Sequence, residues 1–387
     1  MKRILLALVL MMFGGTVLAA ESKPESQGLE AAKAIAKITG VAVSPLLGTA
    51  AIGAWDWWTT PKEKKAKLAW YTHPGFWVPA LLLVVVVAAK DSLGTILPPG
   101  AKKPLDVAET VENKISGLVA AGAVVPLVAA IFGNSLFQSH GLNTAGFAAF
   151  DFASLLNIIT VPLALVAFAL VWLVCHAINV LILISPFGAV DAALKGVRTF
   201  LLGLVTTTSF VNPWAGAVLS LIIILLAYFC AGWSFRMLVF GSVYVWDFCT
   251  VRSRRFQPAP NTNWMFTARQ IEKTPIRTYG KLLHQEDGAL TLEYRPWLFL
   301  AKRKLTLPAG QYAVGRGLFY PEIMQVDGEE EKTMLVLPPR YRTHEAAIAE
   351  AYALMGVRDV GLLKGFKAIW NWLKGLFGLR VVSAATP

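Results

Sequence analysis

Four polar residues lie within otherwise apolar stretches of the chain, where they could line a polar path between helices. His176 and Asn179 are three residues apart and therefore share one face of a helix. Asp151 and Asn157 lie upstream in the same apolar block. Ionisable groups are costly inside lipid, so by default they indicate a functional site such as a pathway for a small solute. The alternative is that these side chains lie near the two membrane interfaces and only hydrogen-bond to neighbouring helices.

A second set of charged residues falls on one predicted helix. Asp191, Lys195 and Arg198 are spaced at i, i+4 and i+7, opposite an apolar face. A helix of this kind over residues 187–210 is expected to lie on the membrane surface and then to dip inward. Its charges could contact the anionic group of a lipid headgroup, or they could form an ordinary solvated helix face.

A third set lies near the C-terminus. Over residues 359–380 the polar positions step by three and four, which predicts a helix with a narrow polar face. Lysines opposite Trp, Phe and Leu are typical of a helix in the plane of a membrane that contains anionic lipids. The residues expected to attach it are Lys364, Lys367, Trp370, Trp372 and Lys374. The alternative is a helix that packs on its own domain.

Familiar catalytic and metal-binding motifs are missing from the sequence. Residues 344–345 begin a zinc-protease pattern, but Ile348 stands where the second histidine is needed. The glycines at 315–317 lack the third glycine of a dinucleotide-binding loop, and there is neither a P-loop nor a GxSxG motif. The basic patches at 62–67 and 252–255 are interpreted as topology signals. We therefore expect no catalytic residue, metal site, cofactor or nucleic-acid partner.

The composition indicates a membrane protein. The 387-residue chain is 56% hydrophobic and 16% charged, whereas soluble domains have roughly 45–50% apolar and about 25% charged residues. No charged residue occurs from Thr199 to Phe235. Such stretches exclude an ordinary cytosolic enzyme, an acidic disordered protein and a disulfide scaffold.

Five stretches are predicted to cross the membrane. They are residues 38–58, 76–89, 115–132, 161–184 and 213–235. The first is the weakest, because it is rich in Gly and Ala and contains Pro45. The sequence leaves open whether 38–58 and 187–210 cross fully, and residues 147–160 are interpreted as a further, partly inserted helix.

The first twenty residues predict a signal peptide, with Lys2 and Arg3 before a short apolar core and an A-x-A-like site near Ala19. An uncleaved anchor is the alternative. With the mature N-terminus outside, residues 90–114 form an outer loop, residue 185 lies outside, and the chain after Arg236 lies inside. The predicted location is a bacterial inner membrane, with the C-terminal domain in the cytoplasm.

The composition changes after Arg255. A helical transmembrane domain over 21–255 is followed by a Pro- and Asn-rich linker at 256–267 and a soluble domain over 268–358. Runs of strand length precede a helix, which predicts a small β-rich domain, either a β-barrel or an α+β domain. These runs are Ile276–His284, Ala289–Tyr294, Trp297–Leu300, Lys304–Leu307 and Thr333–Leu337, and the helix is His344–Met355.

The strand order of this domain resembles a pleckstrin-homology-like barrel, a likeness of fold alone. The Gly- and Pro-interrupted spans with a soluble tail resemble bacterial multi-pass inner-membrane proteins of unknown function. The fold class predicted is thus an α-helical polytopic membrane domain of about five spans, with interfacial or re-entrant helices. A small β-rich domain and a C-terminal amphipathic helix follow it.

The first functional hypothesis is a non-enzymatic membrane protein that moves a small solute or lipid, or organises a complex, with a cytoplasmic adaptor or regulatory domain. The alternative is a membrane enzyme that acts on a lipid headgroup at the bilayer surface. The expected partners are the lipid bilayer with its anionic lipids, and either a second copy of the chain or a partner membrane subunit.

Overall fold

The structure, a computed structural model, describes residues 27–94, 99–135, 152–185, 188–285, 288–317, 320–328 and 330–359. The signal peptide predicted at 1–20 and the amphipathic helix predicted at 359–380, apart from Asp359, lie outside these residues. Asp151 also lies outside them, and the side chain of Asn157 is not among those described.

Seven α-helices precede the first strand in the described residues. They are α1 (Gln27–Val43), α2 (Pro45–Thr59), α3 (Pro74–Gly94), α4 (Pro99–Ser135), α5 (Phe152–Ile184), α6 (Gly188–Val211) and α7 (Pro213–Cys249). Three stretches are long and apolar enough to cross a membrane: Pro104–Val128, Ile159–Ile184 and Pro213–Cys249. They coincide with three of the five predicted spans. Helix α3 contains a shorter apolar stretch, Pro74–Val87.

The segment 38–58, predicted as one span, consists of parts of two helices. Helix α1 ends at Val43, and Pro45 occupies the first turn of α2. The two helices approach closely, because a Cβ placed on Gly48 would lie 2.7 Å from the Cα of Val41. The prediction of a single span is wrong here because the proline begins a new helix.

Helices also occupy segments for which the sequence predicted something else. Helix α4 begins at Pro99, so much of the predicted outer loop 90–114 is helical. Helix α5 begins at Phe152 and continues through Pro162. The described part of 147–160 therefore belongs to the spanning helix and does not form a separate inserted helix.

The chain forms two compact units. The helical unit takes in the described parts of 27–102, 112–178 and 188–230, and the C-terminal unit takes in 103–111, 179–185 and 231–359. The boundary on α7 follows Cys230, whereas the sequence places the domain boundary after Arg255. The end of the last long helix thus belongs to the same unit as the strands.

The core of the helical unit is built from four helices. Its buried side chains come from α1, α4, α5 and α7. Many of them are small, which lets apolar helices pack closely. They are Ile38, Val41, Ala42, Val43, Ala120, Val124, Leu127, Val128, Phe168, Val171, Cys175, Ile224 and Ala227.

Helix α6 turns its charged face inward. Asp191 is 3% exposed, whereas Val197 is 51% and Phe200 65% exposed. Charged side chains of helices within a membrane face the protein interior for the same reason. This burial is the reverse of the solvated charged face predicted for a helix on the membrane surface.

Three helix ends come together in the C-terminal unit. A Cβ placed on Gly241 of α7 would lie 2.5 Å from a methyl carbon of Val180 at the end of α5. Asp106, at the start of α4, acts electrostatically on Tyr244 of α7. The sequence-based topology places residue 185 and the end of α7 on opposite sides of the membrane, and it does not fit this contact.

Eight strands form one sheet. They are β1 (Thr262–Thr267), β2 (Tyr279–His284), β3 (Leu290–Tyr294), β4 (Arg303–Thr306), β5 (Gln311–Arg316), β6 (Glu322–Asp327), β7 (Glu330–Val336) and β8 (Val357–Asp359). The order is β4-β3-β2-β1-β7-β6-β5-β8, and each pairing is antiparallel except β5 with β8. A short helix, α8 (Glu345–Ala351), precedes β8. The sheet and helix share an apolar core that includes Met265, Leu292, Ile323, Leu335 and Ile348.

The sequence predicted this domain in part. Strand β1 occupies Thr262–Thr267, which the sequence assigned to the linker. Strands β5 and β6 were not predicted. Residues Trp297–Leu300, predicted as a strand, belong to an irregular turn in which Trp297 has a φ of 55°.

Candidate functional site

The helical unit contains a buried pair of polar side chains. His176 on α5 is fully buried, and its Nδ1 lies 2.9 Å from Oδ1 of Asn113 on α4. An amide oxygen only accepts, so this contact assigns the hydrogen to Nδ1 and leaves Nε2 as an acceptor. Nε2 has no hydrogen-bond partner among the described residues.

Trp172 covers the histidine from one turn earlier on α5. The two rings are stacked, with centroids 5.2 Å apart and planes 16° apart. Gly117 makes this possible, because a Cβ there would overlap the indole nitrogen of Trp172. Asn113 therefore faces His176 where Gly117 faces Trp172, so α4 and α5 run antiparallel at this site.

The surroundings of the pair are cationic. Lys114 and Arg198 are the charged groups that act electrostatically on His176. Arg198 donates a hydrogen bond from Nε to the carbonyl oxygen of Val43, 3.1 Å away, at the C-terminus of α1. A cation at this helix end is stabilised by the carbonyls that lack partners within the helix.

The structure thus brings together residues from two predicted sets, His176 from the polar path and Arg198 from the anionic-group contact. Of the remaining members, Asn179 and Asp191 are buried and Lys195 is half-buried. The chemistry of the cluster suits a small anion or a hydrogen-bonded structural role. The predicted membrane-attachment residues Lys364, Lys367, Trp370, Trp372 and Lys374 lie outside the described residues.

Sequence reasoning missed Asn113, because the span there was taken to begin at residue 115. A signal was available. Asp106, Thr110 and Asn113 are spaced by four and three, and all three are at most 3% exposed. Continued by Gly117, this polar stripe at helical spacing marks the inner face of α4.

The second candidate site lies where α7 meets the strands, inside the C-terminal unit. Asp247 has a fully buried carboxylate, and its Oδ2 accepts hydrogen bonds from Nε and the backbone N–H of Arg340, at 2.7 and 3.2 Å. Arg252 adds a looser ion pair at 3.7 Å. A buried charge needs such partners to be tolerated.

A second arginine of α7 is held by the sheet. Arg236 donates from Nε to the carbonyl oxygen of Ile276, at 2.8 Å. Nearby, the guanidinium of Arg277 lies over the ring of Phe240, 4.7 Å from its centre. Burial raises the pKa of Glu322, while the hydrogen bond from Thr333 and the charge of Arg277 lower it.

Among the described residues, no group of three or more His, Cys, Asp and Glu side chains is placed to hold a metal ion. Comparison with protein-family models, with curated proteins and with solved structures finds no match to this chain. The two resemblances drawn from the sequence therefore stay predictions.

Proposed function

We propose that the protein is a non-enzymatic scaffold of a bacterial inner membrane, and that its β-rich domain is the cytoplasmic adaptor. The observation that carries this proposal is the attachment of that domain to α7. Three apolar stretches of spanning length support the membrane location. A scaffold needs a domain with a fixed position, and α7 supplies a rigid support for it.

The attachment is built into the sequence of α7. Met237, Phe240, Tyr244 and Asp247 are spaced by three, four and three, and each is at most 4% exposed. This spacing puts them on one helix face, which packs within the C-terminal unit. Removing one partner of a buried ion pair costs about 3–5 kcal/mol, so the Asp247–Arg340 contact is sensitive to substitution of either residue.

Spin-label distances test the rigid attachment. Labels would be placed at Trp246 on α7 and Lys304 on β4, both exposed, after replacement of the native cysteines. We expect a narrow distance distribution that broadens in Asp247→Ala. Arg252→Ala is the matched control, because its side chain is 40% exposed and lies farther from the carboxylate. A broad distribution in the unsubstituted protein would mean that the domain hangs on a flexible tether.

Native electrophoresis of solubilised membranes tests the scaffold role itself. We expect the full chain to migrate within a larger complex, and a chain truncated after Arg255 to lose that complex while it stays membrane-inserted. Migration of the full chain as a monomer under conditions that preserve other membrane complexes would contradict the proposal.

Transport of a small anion is the second candidate function, favoured by the buried His176–Asn113 pair and the cations beside it. Chloride uptake into liposomes that contain the purified protein is the measurement. Transport through this cluster requires uptake above that of empty liposomes, lost in His176→Ala. A scaffold gives no such uptake.

The enzymatic alternative draws less support. It requires Asp191, Lys195 and Arg198 to face a lipid headgroup, but Asp191 is buried and Arg198 binds the end of α1. These contacts favour a role in positioning α6 against α1.

A further inference from the structure

A cavity of about 190 Å³ lies in the C-terminal unit, between α7 and the loops that follow β1 and β3. Its lining contains five cationic side chains and no Asp or Glu. The cations are Arg236, Lys273, Arg277, Arg295 and Arg303. Five positive charges around one small cavity repel one another unless an anion is shared between them.

Arg277 shows that the cavity is more than a basic surface. The residue is 5% exposed, and its Nε and Nη1 have no hydrogen-bond partner among the described residues. An unsatisfied buried charged group is costly. Its backbone is also in the left-handed region, with a φ of 59°, which a side chain other than glycine rarely adopts. Both features are typical of a residue held ready for a ligand.

The sequence of α7 places this cavity at the level of lipid headgroups. Arg236 is the first charged residue after an apolar stretch from Pro213 to Phe235. At about 1.5 Å per residue these 23 residues measure about 35 Å, enough to cross a hydrocarbon core of roughly 30 Å. An arginine directly after such a stretch lies at the interface.

An apolar loop borders the cavity. Leu298, Phe299 and Leu300 are 49%, 73% and 44% exposed, and cations at Arg295 and at 302–304 flank them. Apolar side chains at the centre of a basic surface are favourable where the loop enters a bilayer and the cations meet its headgroups.

The loop has a defined conformation. Trp297 and Leu298 have φ values of 55° and 67°, and backbone strain of this kind persists only where surrounding contacts impose it. The ring of Trp297 packs on Phe235 of α7, 4.8 Å between centroids. The contact holds the loop beside the last apolar turn of the helix, next to the cationic cavity.

We propose that this cavity binds the phosphate headgroup of an anionic phospholipid, with residues 298–300 inserted among the acyl chains beside it. The site rests on the proposed membrane position of α7, and it does not depend on the scaffold role. The bound lipid neutralises the buried Arg277 and fixes the β-rich domain to the leaflet through a contact that is independent of Asp247.

Photocrosslinking in nanodiscs tests the site. The full chain would be reconstituted in phosphatidylcholine nanodiscs that contain a photoreactive phosphatidylglycerol, and the crosslinked peptides would be identified by mass spectrometry. We expect crosslinks in the loops after β1 and β3, with the yield reduced several-fold in the double variant Arg295→Gln/Arg303→Gln. Both residues are exposed, so the double variant is expected to fold.

Lys304→Gln combined with Lys332→Gln is the matched control. These two changes remove the same charge from side chains that do not line the cavity. An equal fall in yield would show attraction by general surface charge and would overturn the site. Protection by inorganic phosphate as strong as that by unlabelled phosphatidylglycerol would overturn the lipid as the ligand. Failure of the chain to enter nanodiscs would instead reject the membrane position of α7.

Discussion

Single carboxylates in the C-terminal unit differ in how their charge is compensated. Asp247 has two cations, one of which donates two hydrogen bonds to it. Glu322 has one hydrogen bond, from Thr333, and the charge of Arg277. For Glu322 burial is the largest effect and raises its pKa above the ordinary 4.5. Its protonated form is therefore favoured in the folded protein.

The raised pKa of Glu322 predicts a pH-dependent stability. Its stabilising contribution is complete below the unfolded pKa of about 4.5 and is lost as the pH rises through the higher folded value. We expect Glu322→Gln to remove this loss, so that the variant gains thermal stability over the unsubstituted protein as the pH rises toward neutral. Thermal unfolding in detergent across this range is the measurement.

Glu350→Gln is the control for this prediction, since it removes the same charge from an exposed position on α8. It should keep the pH profile of the unsubstituted protein. If Glu322→Gln also kept that profile, the buried carboxylate would not be the source of the pH dependence.

Among the elements, the contact between α4 and α5 depends on one glycine. A Cβ at Gly117 would overlap the indole nitrogen of Trp172, whereas a Cβ at Gly122, on the same helix, meets nothing within 4 Å. Alanine in place of a helix glycine otherwise stabilises by about 0.5–1 kcal/mol. We expect Gly122→Ala to stabilise the protein and Gly117→Ala to destabilise it by about 1–3 kcal/mol through overpacking.

Thermal unfolding of the two variants in the same detergent measures this difference in sign. If Gly117→Ala were as stable as Gly122→Ala, the close approach of α4 and α5 would not exist. A shift of Trp172 fluorescence in Gly117→Ala alone would locate the effect at the ring.

The elements also show what a single sequence could predict. Uninterrupted apolar stretches gave three helices of spanning length, because their length and composition alone decide the matter. Residues 38–58 were misjudged because the average apolarity hid the helix start at Pro45. Strand β1 was missed because prolines and asparagines precede it, although its Trp264, Met265 and Phe266 are typical strand residues.

The candidate site was harder to predict than the helices. His176 is conspicuous as an ionisable residue in an apolar stretch, but its partner Asn113 is 63 positions away. Periodicity gave the correct charged face of α6 and the wrong surroundings for it. A moment of hydrophobicity has the same size whether the polar face meets water or the protein interior. Only the packed structure distinguishes these cases.

For the molecule as a whole, the contacts of the C-terminal unit predict its topology. The start of α4 and the end of α7 lie in that unit, so both should face the same side of the membrane. Cysteines would be placed at Pro104 and Val251, which are both exposed, in a chain without its native cysteines. An impermeant maleimide added to right-side-out or inverted vesicles should label both positions from one side. Labelling from opposite sides would restore the topology inferred from sequence.

The central claim is that α7 is one helix, with a first part in lipid and a last part inside the C-terminal unit. Val218, Ile222, Leu226 and Phe229 are between 50% and 72% exposed and share one helix face. That face is apolar, as expected for contact with acyl chains. Beyond Arg236 the helix buries a different set of side chains against the sheet.

Electron paramagnetic resonance of single spin labels along α7 in liposomes tests this claim most directly. We predict that labels at 218, 222, 226 and 229 are accessible to oxygen and shielded from a water-soluble relaxation agent. A label at Trp246, which is 62% exposed, should show the opposite preference, and labels at 240 and 244 should be shielded from both agents. Access of the water-soluble agent to all of positions 218–229 would contradict the account.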